Sequence, residues 1–295
     1  MSTERKYLRA ARLTLVKPRP DPSTGVGSFF GLEPTNALQI DDLRLTFDVK
    51  RSLGATPNSC TLTVTNLAER TRDELAVTPL VALLDVGYAG GELRRLFAGD
   101  VFHVGHEWSG PTVTTKLQLH DGGRAYAHAR VVKSFKAGTS VLTAVKAAAA
   151  ALTLKVPPAV ETLPDLQRAV TAGVTLAGRA ADELSRLLTP FGLGWSIQDG
   201  ALVILADRGI RPGEAIVVDE AAGMLDSPKW GNPPTPGQPP PLSVRCLLFP
   251  ELEPGGLVQV TSRTAKGSFK ITDVAHAGDM MGGDCTTTIE CKATR

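Results

Sequence analysis

Residues 276–285 read HAGDMMGGDC, so a histidine, two aspartates and a cysteine fall within ten positions. Side chains of these types ligate metals and move protons, and the first question is whether this stretch is a site or a turn. Upstream, Phe269 and Ile271 alternate with polar residues; downstream, Cys285, Ile289 and Cys291 share one face, with threonines and Glu290 opposite. Period-two patterning on both sides predicts two strands, with AGDMMGGD as the loop between them. A calcium loop would carry acidic residues at alternate positions and a distant glutamate. Here Asp279 and Asp284 stand apart, with Met280 and Met281 between them. The methionines read as exposed, adaptable hydrophobes of a contact surface. Met280, Met281 and, further upstream, Trp230 are therefore the candidate partner contacts.

The other chemically suggestive residues offer less. His103 and His106 lie three apart in a predicted strand, which points them to opposite faces and away from a shared metal. His120-Asp121 falls at a strand end and reads as a turn after a surface position. No phosphate-binding glycine loop, dinucleotide fingerprint, nucleophile elbow or H-E-x-x-H occurs. The four cysteines, Cys60, Cys246, Cys285 and Cys291, form no C-x-x-C pair. Cys285 and Cys291 would stand about 20 Å apart along a strand, too far for a disulfide, so four free thiols are expected. The sequence thus predicts no catalytic, cofactor-binding or metal-binding residues.

Composition sets wider bounds. The 295 residues are 42% hydrophobic and 21% charged, a globular balance with room for two or three cores. No apolar run approaches the roughly 18 residues of a membrane span, and MSTERKYLRAARLTLV lacks the apolar centre of a signal peptide. Both point to synthesis in a reducing cytoplasm. Residues 1–20 carry six Lys/Arg against one Glu, which predicts a solvated basic arm or a docking arm for an acidic surface. Aromatics at 5% and the absence of a recognition motif speak against specific nucleic-acid binding.

The elements that would position these residues run β, then α+β, then β. ALQIDDLRLTFDVKRS, SCTLTVTNL, LVALLDVGYAGGELRRLFAGDVFHVGHEW and TVTTKLQLHDG read as antiparallel strands, with a short helix in AERTRDEL. GTSVLTAVKAAAAALTL predicts a helix capped by Thr139 or Ser140. TLAGRAADELSRLLTPF predicts a second, with Leu176, Ala180, Leu184, Leu187 and Phe191 on one face. GWSIQDGALVILAD is a hairpin turning at Asp199-Gly200. SPKWGNPPTPGQPPP has seven prolines in fifteen residues and reads as an exposed loop. Strands resume at LSVRCLLF, GLVQVTS, GSFKITDVAH and CTTTIECKA. The expected divisions are an arm and first strand over 1–36, a β-barrel over 37–130, an α+β module over 131–210, and a second β-barrel over 211–295 containing the proline-rich loop 227–241.

Taken together, LRLTFDVKRSLGATPNSCTLTVTNLAERTRDEL, VGY, LFAGDV, GMLDSP, VRCLLFPELEPGGLVQVTS and GSFKITDVAHAGDMMGGDCTTTIE resemble, in that order, phage baseplate hub proteins of Mu-like and related contractile-tailed phages. The resemblance spans about residues 37–295; the first 36 residues and the proline-rich stretch have no firm counterpart in it. It implies a mainly β chain in which two tail-tube-like antiparallel barrels flank a small helix-containing domain. It further implies a non-enzymatic homotrimer whose six barrels join the sixfold tail tube to the threefold spike. Its partners would be the tube or distal tail protein, the spike protein and other baseplate subunits, with DNA passing through a central channel. No cofactor is implied, and the setting would be the virion tail baseplate. A peptidoglycan hydrolase of the tail and a cell-wall-binding module remain the alternatives, separable by a zymogram and by a peptidoglycan pull-down.

Overall fold

The computed structural model describes residues 9–17, 37–75, 80–233 and 239–294. The first β region holds β1 (Arg9–Val16), β2 (Leu38–Ile40), β3 (Leu45–Ser52), β4 (Ser59–Thr65), helix α1 (Glu69–Leu75), β5 (Leu80–Tyr88), β6 (Arg94–Ser109), β7 (Thr112–His120) and α2 (Gly123–His128). The middle holds β8 (Arg130–Phe135), α3 (Val141–Ala151), α4 (Pro158–Glu161), α5 (Pro164–Gln167), β9 (Val174–Arg179), α6 (Ala180–Leu188), a 3-10 turn (Thr189–Phe191), β10 (Leu193–Gln198) and β11 (Ala201–Ala206). The last region holds β12 (Ile216–Asp219), β13 (Lys229–Trp230), β14 (Leu242–Leu247), β15 (Leu257–Thr261), β16 (Lys266–Asp279) and β17 (Cys285–Ala293). The chain is mainly β, and most of its strands pair antiparallel.

Each region packs on its own apolar core. Leu13, Phe47, Leu62, Leu84, Phe97 and Leu117 belong to the first, Val145, Leu176, Leu184 and Trp195 to the second, and Val218, Val244, Val260, Phe269 and Ile289 to the third. Burying side chains of this size is worth about 1.5–3 kcal/mol each, which offsets the ordering of the chain around them.

The two β units repeat one topology. Neighbours in the first sheet run β3-β4-β7-β6-β5-β1, and in the second β13-β14-β17-β16-β15-β12, so strands in the same chain order take the same sheet order. Both units carry a β-bulge on the equivalent strand, at Phe102 in β6 and at Thr272 in β16. One difference stands out: β1 pairs antiparallel with β5, whereas β12 runs parallel to β15, a departure from the all-antiparallel expectation.

A single strand joins the units. From Lys266 to Lys270, β16 pairs with β15; from Asp273 to Asp279 the same edge pairs instead with β3. The bulge makes this possible, because an extra residue flips the inward face and bends the strand. Ile271 and Val274, three apart, are both buried in the third core as a result. Beyond them Gly278 faces Phe47, and a Cβ there would lie 2.6 Å from both the Phe47 ring and the Cys285 sulfur. Cys285 and Cys291 thus sit on one strand but in different cores, and all four cysteines are free and buried.

The middle module departs from expectation at one element. Residues 174–179 form β9 rather than the start of a helix, pairing with β8 from Arg130 to Phe135, so Leu176 enters the core from a strand. A β-branched run at Val174 and Thr175 before the alanines favours that split. Ser140 caps α3 by accepting from the Thr143 N–H, and Asp199-Gly200, at φ of 51° and 72°, makes the hairpin turn. Two further expectations shift. Arg9 and Arg12 lie within β1 rather than in a solvated arm, and the proline-rich segment contains the edge strand β13, while residues 234–238 of it and residues 1–8 and 18–36 lie outside the described residues.

The joint is the most size-restricted contact between the units. Gly278→Ala should destabilise the chain by about 1–3 kcal/mol through overpacking against Phe47. Trp108, likewise six residues past its bulge and 65% exposed, should tolerate alanine with little loss of monomer stability. Urea unfolding of both variants tests the pair.

Candidate functional site

The stretch that opened the sequence reading is dismantled by its geometry. His276 and Asp279 belong to β16, Cys285 begins β17, and only residues 280–284 turn between them. Arg44 grips the Asp279 carboxylate through Nε at 3.2 Å and Nη2 at 2.6 Å, and the Met281 N–H donates to it at 3.0 Å. The Arg44 hydrogen bonds hold that carboxyl below its ordinary range. Arg9 reaches across from β1 to the carbonyl oxygens of Asp279 and Gly283. Asp279 therefore shapes the hairpin tip. Among the described residues, no cluster of three or more His, Cys, Asp or Glu is arranged to hold a metal.

The two methionines separate. Met280 packs against the first core and donates its N–H to the Leu45 carbonyl, so it is not the exposed contact expected of it. Met281 is 64% exposed. Trp230 is half-exposed on β13, its ring edge-on to Phe269 and its Nε1 donating to the Thr264 carbonyl at 3.4 Å.

The histidines reveal the repeat again. His276 Nδ1 lies 2.9 Å from Thr287 Oγ1, and His106 Nδ1 lies 3.0 Å from Thr115 Oγ1, each histidine four residues past its bulge. Thr287 Oγ1 also accepts from the Phe249 N–H, and His276 Nε2 is a buried atom without a hydrogen-bond partner among the described residues. Burial, then the Arg51 charge, pushes the His276 pKa down to about 3, which keeps the ring neutral. His103 is exposed and pairs opposite Gln118, away from any second ligand.

Asp121 departs furthest from its expected role. Rather than a surface turn residue it is buried, and its two carboxylate oxygens accept the N–H groups of Asp199 at 2.7 Å and Gly200 at 3.0 Å. Beside it, buried Arg51 pairs with Asp199 at 2.6 Å, and Asn58 Nδ2 donates to the Ile197 carbonyl at 2.8 Å and to Gln198 Oε1 at 3.0 Å. Gln198 Nε2 returns a bond to the Ser52 carbonyl at 2.7 Å. This network clamps the tip of the β10–β11 hairpin onto the first β unit. On the other side, Lys270 of β16 donates to the carbonyls of Ala206 and Asp207 at 3.3 and 2.8 Å and so fastens the third core's sheet to the end of β11. A cleft of about 600 Å³ lies between, lined by Ser52, Trp195, Asp207, Lys270 and Glu290 among others. Lys270 is committed to main-chain carbonyls, and of the serines lining the space Ser52 Oγ accepts from the Gly54 N–H and Ser196 Oγ from Gln198 Nε2.

The exposed large hydrophobics include Phe102, Trp108, Val132, Trp230 and Met281, and two strand edges, of β13 and of the far half of β6, have no strand beside them among the described residues. β5 pairs with β6 only up to Val101, and among the described residues no strand takes the edge of β6 from His103 to Ser109.

The architecture can be matched to solved structures. The 43 kDa tail protein of prophage MuSo2 from Shewanella oneidensis superposes with a TM-score of 0.64 at 11% identity, over 87% of this chain and 94% of that one. A tail protein from Neisseria meningitidis MC58 gives 0.62 at 12%, over 97% of each chain. This is the fold of phage tail proteins. An Escherichia coli component of the type VI secretion system, itself described as similar to the T4 bacteriophage tail proteins gp27 and gp5, gives 0.57 at 13% over 84% and 73%. No protein-family profile and no curated protein sequence matches the chain. The phage-tail fold expected from the order of the sequence motifs is thus present.

The buried carboxyl makes stability pH-dependent. Burial, then the Asp199 charge, raises the Asp121 pKa from 3.8 to about 7. Between those values the native state holds a proton the unfolded chain has released, so Asp121 makes stability fall as pH rises through that window. Asp121→Asn should flatten that slope while lowering stability at every pH by about 1–3 kcal/mol, since its amide cannot accept both N–H groups. Denaturant midpoints from pH 4 to 8 measure both.

Proposed function

We infer that this chain is a structural hub subunit of a phage tail or phage-like injection apparatus. Three copies would close a ring whose six β units match a sixfold tail tube on one side and a threefold spike on the other, with DNA free to pass through the centre. The observation that carries the reading is the repeated six-strand unit with its shared bulge and His–Thr pair: two equivalent docking units per chain are what a threefold ring needs to meet sixfold symmetry. The fold shared with phage tail proteins supports the same role. The side chains that look reactive in the sequence are engaged in structure, in keeping with a role that is mechanical rather than enzymatic. Its place would be the baseplate of the virion tail, after synthesis in the host cytoplasm, with the tube or distal tail protein, the spike and other baseplate subunits as neighbours.

Light scattering should give three times the 31.1 kDa chain mass, and a larger complex when the tube protein is added. A mass of one chain at tens of micromolar, unchanged by the tube protein, would defeat the reading. Met281→Ser should weaken binding to a neighbouring tail protein without loss of fold, whereas Met280→Ser should lower stability by about 1 kcal/mol, because it removes part of the first core's packing.

A further inference from the structure

We propose that the open edge of β6, His103–Ser109, pairs antiparallel with strand β13, Lys229–Trp230, of a second copy of this chain, repeating between copies the joint that β16 and β3 make within one. The proposal deepens the ring reading above and rests on it, by naming which edges meet and in what register.

The internal joint supplies the template. Past its bulge, β16 lays residues 273–279 against β3. Past the equivalent bulge, β6 presents His103–Ser109 with no strand beside it among the described residues. The strand that repeats β3 is β13, the last strand on the sheet's other unit, and among the described residues no strand lies on its far edge, where the Thr264 hydroxyl donates to the Pro228 carbonyl at 3.3 Å. Among the described residues each copy therefore carries both open edges, one of each kind, of a joint it has already made once. Such complementary edges form a heterologous, head-to-tail contact, the kind that generates a ring when the rotation between copies closes.

Register follows from the repeat. In the internal joint His276 lies opposite Val49, Ala277 opposite Asp48 and Gly278 opposite Phe47. His106 occupies the place of His276. Along the sheet, β3 and β13 align through their partners: Asp48 pairs with Thr61 and Val49 with Cys60, as Lys229 pairs with Ser243 and Trp230 with Leu242. Between copies this sets His106 opposite Trp230, Glu107 opposite Lys229 and Trp108 opposite Pro228.

Three features fit that register. Glu107 and Lys229, both exposed, bring opposite charges face to face. Where the internal joint sets a glycine against a large ring, Gly278 against Phe47, the proposed one sets a large ring against a small residue, Trp108 against Pro228, and both Phe47 and Pro228 are buried. Val49 is fully buried where β16 lies beside it, while Trp230, in the same place of the repeat, is 47% exposed. Docking would cover it, along with Trp108. The backbone is ready as well. Gly231 donates its N–H inward to the Pro241 carbonyl, so by alternation Trp230 and Asn232 turn theirs to the free edge, and Lys229 faces it as a closely spaced, non-hydrogen-bonded position.

That spacing permits a disulfide test. The double variant Glu107→Cys with Lys229→Cys, in the full chain, should form covalent dimers and trimers under mild oxidation. Each single variant should form none, because the native cysteines are buried. Glu107→Cys with Gly231→Cys, two residues out of register, should cross-link at least tenfold less. As a second measurement, Glu107→Lys should weaken association about fivefold per joint and Lys229→Glu should restore it, with circular dichroism unchanged. A trimer by mass that cross-links in neither register, or preferentially out of register, overturns the pairing and leaves the ring reading standing. A chain that stays monomeric and uncrosslinked overturns both.

Discussion

The structure depends on one bulged strand. β16 belongs to both β units, and only the extra residue at Thr272 lets it leave β15 and continue against β3 without exposing its apolar face. Without the bulge, period-two alternation would turn Val274 and His276 outward and leave two separate sheets linked by the module alone. With it, β17 follows β16 from Phe269 to Gly278, across the bulge, and one hairpin closes part of the first and third cores. The polar clamp of Arg51, Asn58 and Asp121 on the β10–β11 turn then fixes the module against the first unit, next to the segment of β3 that β16 engages. The joint and the clamp share Arg51 and Ser52, so displacement at one is felt at the other.

The repeat explains why equivalent positions carry such different residues. A Cβ at Gly278 has no room because Phe47 fills the joint from the other strand. Trp108, the same distance past its bulge, has no strand on its outer edge among the described residues and is 65% exposed. The His–Thr pairs survive in both units because they satisfy a polar side chain inside the sheet without a charge, whatever the strand beyond is doing. In β17 the pair is eleven residues apart and in β7 nine, and the difference is the longer hairpin tip that Arg44 and Asp279 hold in place.

Most strands were legible from alternation alone, as were the cap at Ser140 and the Asp199-Gly200 turn. The order of motifs correctly pointed to the phage tail fold. Several features were not legible, for physical reasons. β9 was hidden because Leu176 and Leu184 fit a helical stripe, and only the pairing with β8 decides between the periods. The parallel pairing of β12 with β15 depends on contacts far apart in sequence. The repeat left a local trace that periodicity does not weigh: Val101-x-x-Val104-Gly105-His106 against Ile271-x-x-Val274-Ala275-His276. Bulges at Phe102 and Thr272 break the alternation in both copies, which masks their likeness to a reading based on alternation.

Asp121 and His276 show why residue type alone misled about chemistry. Each is a titratable group taken out of water, and burial pushes both toward neutrality, the carboxyl upward and the imidazole downward. In an enzyme such shifts would face a cavity where a substrate could use them. Here Asp121 is occupied by two main-chain N–H groups and His276 by a threonine hydroxyl, and neither lines the cleft beside Lys270. Their cost is tolerated because each sits where two sheets or a sheet and a hairpin must meet in a single register, which apolar packing alone specifies loosely. Perturbed protonation in this chain is a by-product of holding parts together, and the far edge of β6 and the strand at Trp230, which carry no such ties among the described residues, are the surfaces on which the proposed pairing rests.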